Sequence, residues 1–177
     1  VRVLALSGSL RPQSLNTLLL HEAARLAPEG MEIRLWEGLD DLPHFSPERD
    51  VEPPPPAVAE LRAKITAADA VLVCTPEYIH AMPAVLKNLL EWVVSSGAWV
   101  DKPTAAWSAS PSAEGGARAH GSLIHTLEVM SARVVAEASR CLTLAHSGLD
   151  EAGHLKDPAQ VERLQSALAA LAAAQTP

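Results

Sequence analysis

The chain has 177 residues, 48% of them hydrophobic, which is enough to fill one core; a single domain over residues 1–177 is expected. An excess of 21 acidic over 14 basic residues gives a net charge of −7, which repels nucleic acid and anionic membranes and argues against both as partners. No run approaches the ~18–20 apolar residues of a membrane span, and Val1–Leu6 reads as a strand rather than as a signal core, so the expected location is cytoplasmic.

Val1–Leu6 is nearly all apolar, as burial on both faces of a parallel sheet requires, and is expected to be a central strand. A helix over Leu15–Leu26 follows. Met31–Trp36 sets Ile33 and Leu35 against Glu32 and Arg34, the alternation of a half-exposed edge strand. Pro53–Pro56 reads as a stiff spacer leading into a helix over Ala57–Ala67. Ala70–Cys74 is a second central strand, followed by a helix over Ala84–Ser96. Thr104–Trp107 and Val134–Ala138 read as two more strands, with a helix over Gly116–Ser131 between them. The last helix, Pro158–Ala173, begins with Asp157 as N-cap and Pro158 at its first position, and Leu164, Leu168 and Leu171 recur at inward spacing.

This alternation is the signature of βαβ units. The expected fold is a three-layer α/β arrangement, a five-stranded parallel sheet in order 2-1-3-4-5 with helices on both faces. Ligands of such folds bind beyond the carboxyl ends of strands 1 and 3. Those ends carry Ser7–Asn16 and Thr75–His80, far apart in sequence and side by side in the fold.

The first turn has neither the glycine spacing of a dinucleotide site nor the Gly-Lys-Ser/Thr ending of a triphosphate loop. It offers Ser9, Ser14 and Asn16 as hydrogen-bonding groups, Arg11 as a cation, and the amides from Ser14 onward at the positive end of a helix. That set matches a terminal phosphate monoester; the plainer reading is an ordinary Ser/Asn cap with Arg11 solvated. In the second turn Pro76 and Pro83 bracket a loop that cannot continue the strand, and Tyr78, the sole tyrosine, offers a planar ligand a surface. The plainer reading makes Tyr78 a loop filler and Leu86, Leu89, Leu90 and Val93 a core face. Together the two turns suggest a nucleotide-like cofactor. Cys74 and Cys141 flank apolar runs and read as inert buried thiols, with a redox role for Cys74 as the lesser reading. The histidines offer no pair on one face, His120 and His125 being five apart, so no metal is expected.

Gly8-Ser9-Leu10-Arg11 with Ser14 and Asn16, then Pro76-Glu77-Tyr78, then Pro83 with Leu86-Lys87-Asn88 and Trp92, and finally Gly115-Gly116-Ala117-Arg118 occur in this order. Together they resemble the NADPH-dependent FMN reductase family, which is flavodoxin-like and includes bacterial quinone, chromate and azo-dye reductases. The resemblance implies bound FMN, NADPH or NADH as a transient co-substrate, and a ping-pong transfer of electrons to a quinone or similar small-molecule acceptor. It implies that Ser9, Arg11, Ser14 and Asn16 hold the FMN phosphate, with the Leu10 and Leu15 backbone nearby. Pro76, Glu77 and Tyr78 would line the isoalloxazine chiefly through backbone groups, and Ser108-Ala109-Ser110 would close its other side.

Two positions depart from the family pattern: Ile79 stands where asparagine is usual, and Ala84 where glycine follows proline. Ile79 has no side-chain amide but keeps a backbone N–H for the ring, and His80 is a candidate substitute contact. No catalytic acid or base is assigned, since flavin chemistry needs no protein nucleophile. The resemblance also implies a homodimer or homotetramer. Trp92, Trp99 and Trp107 then read as interface or as core, and Leu42–Pro47 as a further contact. Two other functions stay open on the residues: a flavodoxin-type electron carrier without its own NAD(P)H turnover, and a flavin-free interaction domain.

Overall fold

In the computed structural model, which describes residues 1–175, β1 (Arg2–Ser7) and β3 (Ala70–Thr75) lie side by side at the centre of a parallel sheet. β2 (Glu32–Trp36) flanks β1 at one edge and β4 (Pro103–Ser110) flanks β3 on the other side. The order is β2-β1-β3-β4-β5, as the alternation of elements predicts. The central strands are apolar throughout because each feeds two cores. Val3 and Ala5, with Ala70 and Leu72, face one layer, while Leu4 and Leu6, with Val71 and Val73, face the other.

The first layer is built from α1 (Leu15–Leu26) and α5 (Pro158–Ala173). The second is built from α2 (Pro56–Ala67), α3 (Ala84–Val94) and α4 (Ala117–Val129). The start of α5 is as its sequence predicts: the Asp157 carboxylate accepts from the Ala159 amide at 3.0 Å, and Leu164, Leu168 and Leu171 are buried. α3 and α4 stop short of the expected Ser96 and Ser131, the latter already left-handed at φ 61°. Among the described residues no helix is long and apolar enough to cross a membrane.

The fifth strand differs from expectation. Val134–Ala138 is not continuous: β5 covers only Arg133–Val134, a 3-10 turn follows at Ala136–Ala138, and β6 (Arg140–Thr143) resumes pairing with β4. Ala-Glu-Ala has little strand propensity, and the turn aims the Ala138 carbonyl at the indole N–H of Trp107, which donates to it at 2.7 Å. Across the gap the Ser139 hydroxyl accepts the Ala106 amide at 3.1 Å, so the ladder loses no partner there.

Trp92, Trp99 and Trp107 are core residues, which removes them as interface candidates. Each indole N–H has an acceptor, Pro43 O, Thr104 Oγ1 and Ala138 O respectively. The Leu42–Pro47 segment is fastened to α3 by Asn88. The Asn88 Oδ1 accepts from the Phe45 amide at 2.7 Å, its Nδ2 donates to the Pro43 carbonyl at 3.0 Å, and the Phe45 ring meets Trp92 edge-on. Asn88→Ala therefore removes both ties, and chemical denaturation should show a loss of about 1–3 kcal/mol.

Candidate functional site

The first wall begins at Gly8, whose amide donates to the Cys74 carbonyl at 2.8 Å. A Cβ at this position would lie 2.9 Å from Leu86 Cδ2, so the close approach of the turn to α3 depends on glycine. The following hydroxyls fold the turn. Ser7 and Thr17 share a bond at 2.7 Å, the Ser9 amide donates to Ser7 Oγ, and the Arg11 amide donates to Ser9 Oγ. Ser14 occupies the N-cap of α1 without making a capping bond, and the first helical bond is Leu18 N–H to Ser14 O. The amides of Leu15, Asn16 and Thr17 precede that bond and face outward along the helix dipole. Arg11 is exposed, with no carboxylate partner among the described residues.

The Asn16 side chain does something that its sequence position does not show. Its Oδ1 accepts from the Ala109 amide at 2.9 Å and from the Cys74 thiol at 3.2 Å, while Nδ2 donates to the Ala109 carbonyl at 3.2 Å. One buried amide thus joins α1, β3 and β4, and Asn16 has its backbone N–H left for a ligand. Cys74 is fully buried, and burial pushes its thiol pKa far up, so it acts here as a donor to Asn16 and not as a redox group.

The second wall is the loop after β3. Tyr78 and Ala81 exchange backbone bonds at 3.0 and 3.1 Å around Ile79 (φ 51°) and His80 (φ 60°), a two-residue hairpin turn whose geometry favours asparagine and glycine. The Ile79 side chain is 98% exposed and is not part of the cleft lining. His80 turns to Glu77 Oε1 at 3.2 Å rather than to the cleft. Glu77 Oε2 accepts from the Arg118 and Ala119 amides at 3.0 Å each, capping α4 from outside the helix. The Ala119 N–H is the main reason that its carboxyl stays below the usual range, with burial opposing and the His80 and Arg118 bonds adding.

The third wall is Ala109 and Ser110, followed by Gly115 (φ 59°) and Gly116 (φ 83°). A Cβ on Gly115 would meet the Leu142 backbone at 2.8 Å, and Ser108 Oγ donates to the Gly115 carbonyl at 2.8 Å. The walls enclose a cleft of about 200 Å³. Arg11, Ser14, Leu15 and Asn16 line it from the first turn, and Pro76, Glu77 and Tyr78 from the second. Ala109 and Ser110 complete it with Pro111 and His146. Ser9, Leu10 and Ile79 lie outside this lining, and Pro111 and His146 are the additions that sequence reasoning missed. Nothing local singles out His146. It reaches the cleft because β6 pairs with β4 as far as Ser110–Thr143 and the Leu144 amide then donates to Ser110 O.

This strand order, with an anion-competent helix start and an adjoining loop at the carboxyl edge, defines a flavodoxin-like α/β protein whose cleft suits a phosphorylated planar cofactor. The chain belongs to the NADPH-dependent FMN reductase family, whose model matches residues 1–146. It is 36% identical over 173 residues to an NAD(P)H-dependent FMN reductase of Pseudomonas aeruginosa, covering 97% of this chain and 93% of that protein. It is 33% identical to a quinone reductase of Pseudomonas putida over 85% of this chain and 82% of the relative. Among solved structures, a flavoenzyme NAD(P)H:(acceptor) oxidoreductase from Paracoccus denitrificans superposes with a TM-score of 0.90 at 28% identity, covering 98% of this chain and 96% of that one. Membership selects the oxidoreductase over the electron carrier and the interaction domain, with FMN as cofactor and NAD(P)H as co-substrate.

Two substitutions test this architecture. Asn16→Ala leaves the buried Ala109 N–H and C=O without partners, and thermal unfolding should register a loss of about 2–4 kcal/mol. Ile79→Asn replaces a β-branched residue at positive φ with one that tolerates it, and the same measurement should register a gain of about 1 kcal/mol.

Proposed function

We propose that this chain, acting as one domain, is a reductase that takes hydride from NADPH or NADH and passes electrons to a quinone or similar small acceptor. The convergence of Ser14, the first α1 amides and Arg11, all without internal partners among the described residues, with the Pro76–Tyr78 loop in one cleft is the observation that supports this most. The donor set fits a phosphate monoester. Arg11 supplies the cation, Ser14 a hydroxyl, and Leu15 and Asn16 amides at the positive end of a dipole. Ser9 Oγ, although it accepts from the Arg11 amide, keeps its own proton to donate, and the Leu10 backbone adjoins it.

Pro76, Glu77 and Tyr78 present backbone to the ring. With the Glu77 carboxylate committed to α4, this loop is held in position while it does so. The Ile79 amide, which has no internal partner among the described residues, is a further donor toward the ring, and Ala109 and Ser110 close the other side. Bound FMN supplies the hydride acceptance and the onward release of one or two electrons, so no side chain need act as nucleophile. The protein contributes orientation: nicotinamide and acceptor use the same opening in turn, which is a ping-pong order.

The reading extends to a cytoplasmic homodimer or homotetramer, supported by Leu10, Tyr78 and Ile79, which leave apolar surface exposed around the opening.

The as-purified protein should carry a flavin absorbance band that bleaches anaerobically on mixing with NADPH or NADH, and initial rates against donor and quinone should give parallel reciprocal plots. A band unchanged by either donor would sink the reductase; intersecting plots would sink the ping-pong order alone. Arg11→Ala should weaken FMN binding by about 10- to 100-fold in a fluorescence titration, the scale of a charge-assisted bond to phosphate.

A further inference from the structure

The cofactor cleft includes a residue that none of the sequence motifs contains. His146 lines it together with Arg11 and Ser14. Its imidazole is exposed and uncommitted: among the described residues, the histidine rings that have a partner are those of His80, His120 and His154.

The segment that carries His146 is fixed to α1, the helix whose first amides face the cleft. It leaves β6 with the Leu144 amide on Ser110 O at 2.9 Å and turns at once, the Gly148 amide donating to Ala145 O at 2.9 Å. Leu149 and Leu155 are buried and bridge to one another. The Leu155 amide donates to Glu22 Oε1 of α1 at 3.2 Å, and a Cβ on Gly153 would lie 3.6 Å from Leu18 Cδ2 of the same helix. The Glu22 side chain is fully buried and paired with Arg25, so the tie is made by a carboxylate that has no water to turn to. α1 and α5 cover one face of the sheet, whereas Pro76–Tyr78 leads into α3 on the other. His146 therefore enters the cleft on the side of Ser14 and Arg11.

Charge decides what an imidazole does there. A phosphate monoester carries about −1.5 to −2 at pH 7. Arg11 offsets one unit and a helix start about half of another, which leaves part of the dianion unmatched. Of the residues lining the cleft, only Arg11 and His146 can be cationic. Glu77 is the one acid among them, with its carboxylate turned to the α4 amides and to His80. The first turn of α1 has no acidic residue. Within the segment itself, Asp150 accepts from the Ala152 and His154 amides, and Lys156 Nζ donates to the Ser147 carbonyl at 3.1 Å.

We propose that His146 is a second cationic contact for the FMN phosphate, completing with Arg11 a two-armed clamp that selects the phosphorylated cofactor over riboflavin. The clamp rests on the proposed FMN reading and adds a dependence on pH to it. A histidine changes charge between about pH 5 and 8. The charged form is the one that binds, so the contribution is present at the lower end of that range and lost as the pH rises through it.

The test titrates flavin-depleted protein with FMN and with riboflavin near pH 6 and near pH 8.5, on either side of most of that change, and follows the quenching of flavin fluorescence. His146→Gln keeps a hydrogen-bond donor and removes the charge. It should weaken FMN about tenfold at the lower pH, one charge-assisted hydrogen bond, and about twofold or less at the higher, with riboflavin unchanged at both. His146→Lys should match the wild type at the lower pH and bind FMN more tightly than it at the higher. FMN affinity indifferent to His146→Gln at both pH values overturns the clamp and leaves the reductase standing. An equal loss for riboflavin overturns the phosphate contact, and a loss that does not vary with pH overturns the charged form. Failure of the wild-type protein to bind either flavin overturns the cofactor reading and the clamp with it.

Discussion

The cleft depends on a buried three-way junction made by one side chain. The Asn16 carboxamide meets both backbone groups of Ala109 and the thiol of Cys74, so the first turn of α1 is bolted to the ends of β3 and β4. In a low-dielectric interior such bonds are strong, and each orphaned partner is costly. The anion-facing amides of α1 and the wall at Ala109–Ser110 are thereby held in one rigid relation. Binding a long, two-ended cofactor demands this, since its phosphate and its ring must be met at a fixed separation without further ordering cost.

The second and third walls are coupled by a different device. Glu77 reaches out of its loop to cap a helix that begins two glycines after the third wall. The glycines are there for the same reason as the carboxylate. Gly115 must pass within van der Waals reach of the Leu142 backbone, and only a residue without Cβ allows α4 to start where Glu77 can meet it. The Glu77 side chain is thus a positioning group, while the backbone of its loop faces the cleft.

Much of this was legible in the residues. All-apolar runs such as Ala70–Cys74 have one comfortable place in an α/β protein, between two helical layers, and once two of them are central the switch point and its turns follow. What was hidden involves partners distant in sequence. Asn16 reads as a ligand donor until Ala109, 93 residues on, is brought beside it. The break in the fifth strand answers to Trp107, 31 residues back, and His146 arrives only through the pairing of β6. Ile79 was noted as a departure, but its left-handed backbone is a property of the loop closing at Ala81 and is not written in the dipeptide. Cys141 differs from the buried thiol that its apolar neighbours suggest, because alternation along β6 buries Leu142 and leaves Cys141 exposed.

The broken strand at the margin of the sheet has a wider effect. A parallel sheet that ends in a long bare ladder invites another chain to dock on it. Here one margin is cut into two short pieces separated by a turn and carries Arg133 and Arg140, while the opposite margin at β2 carries Glu32 and Arg34 paired across its surface. Neither border presents a flat, uncharged template, so both margins carry the features by which sheet proteins discourage edge-to-edge pairing.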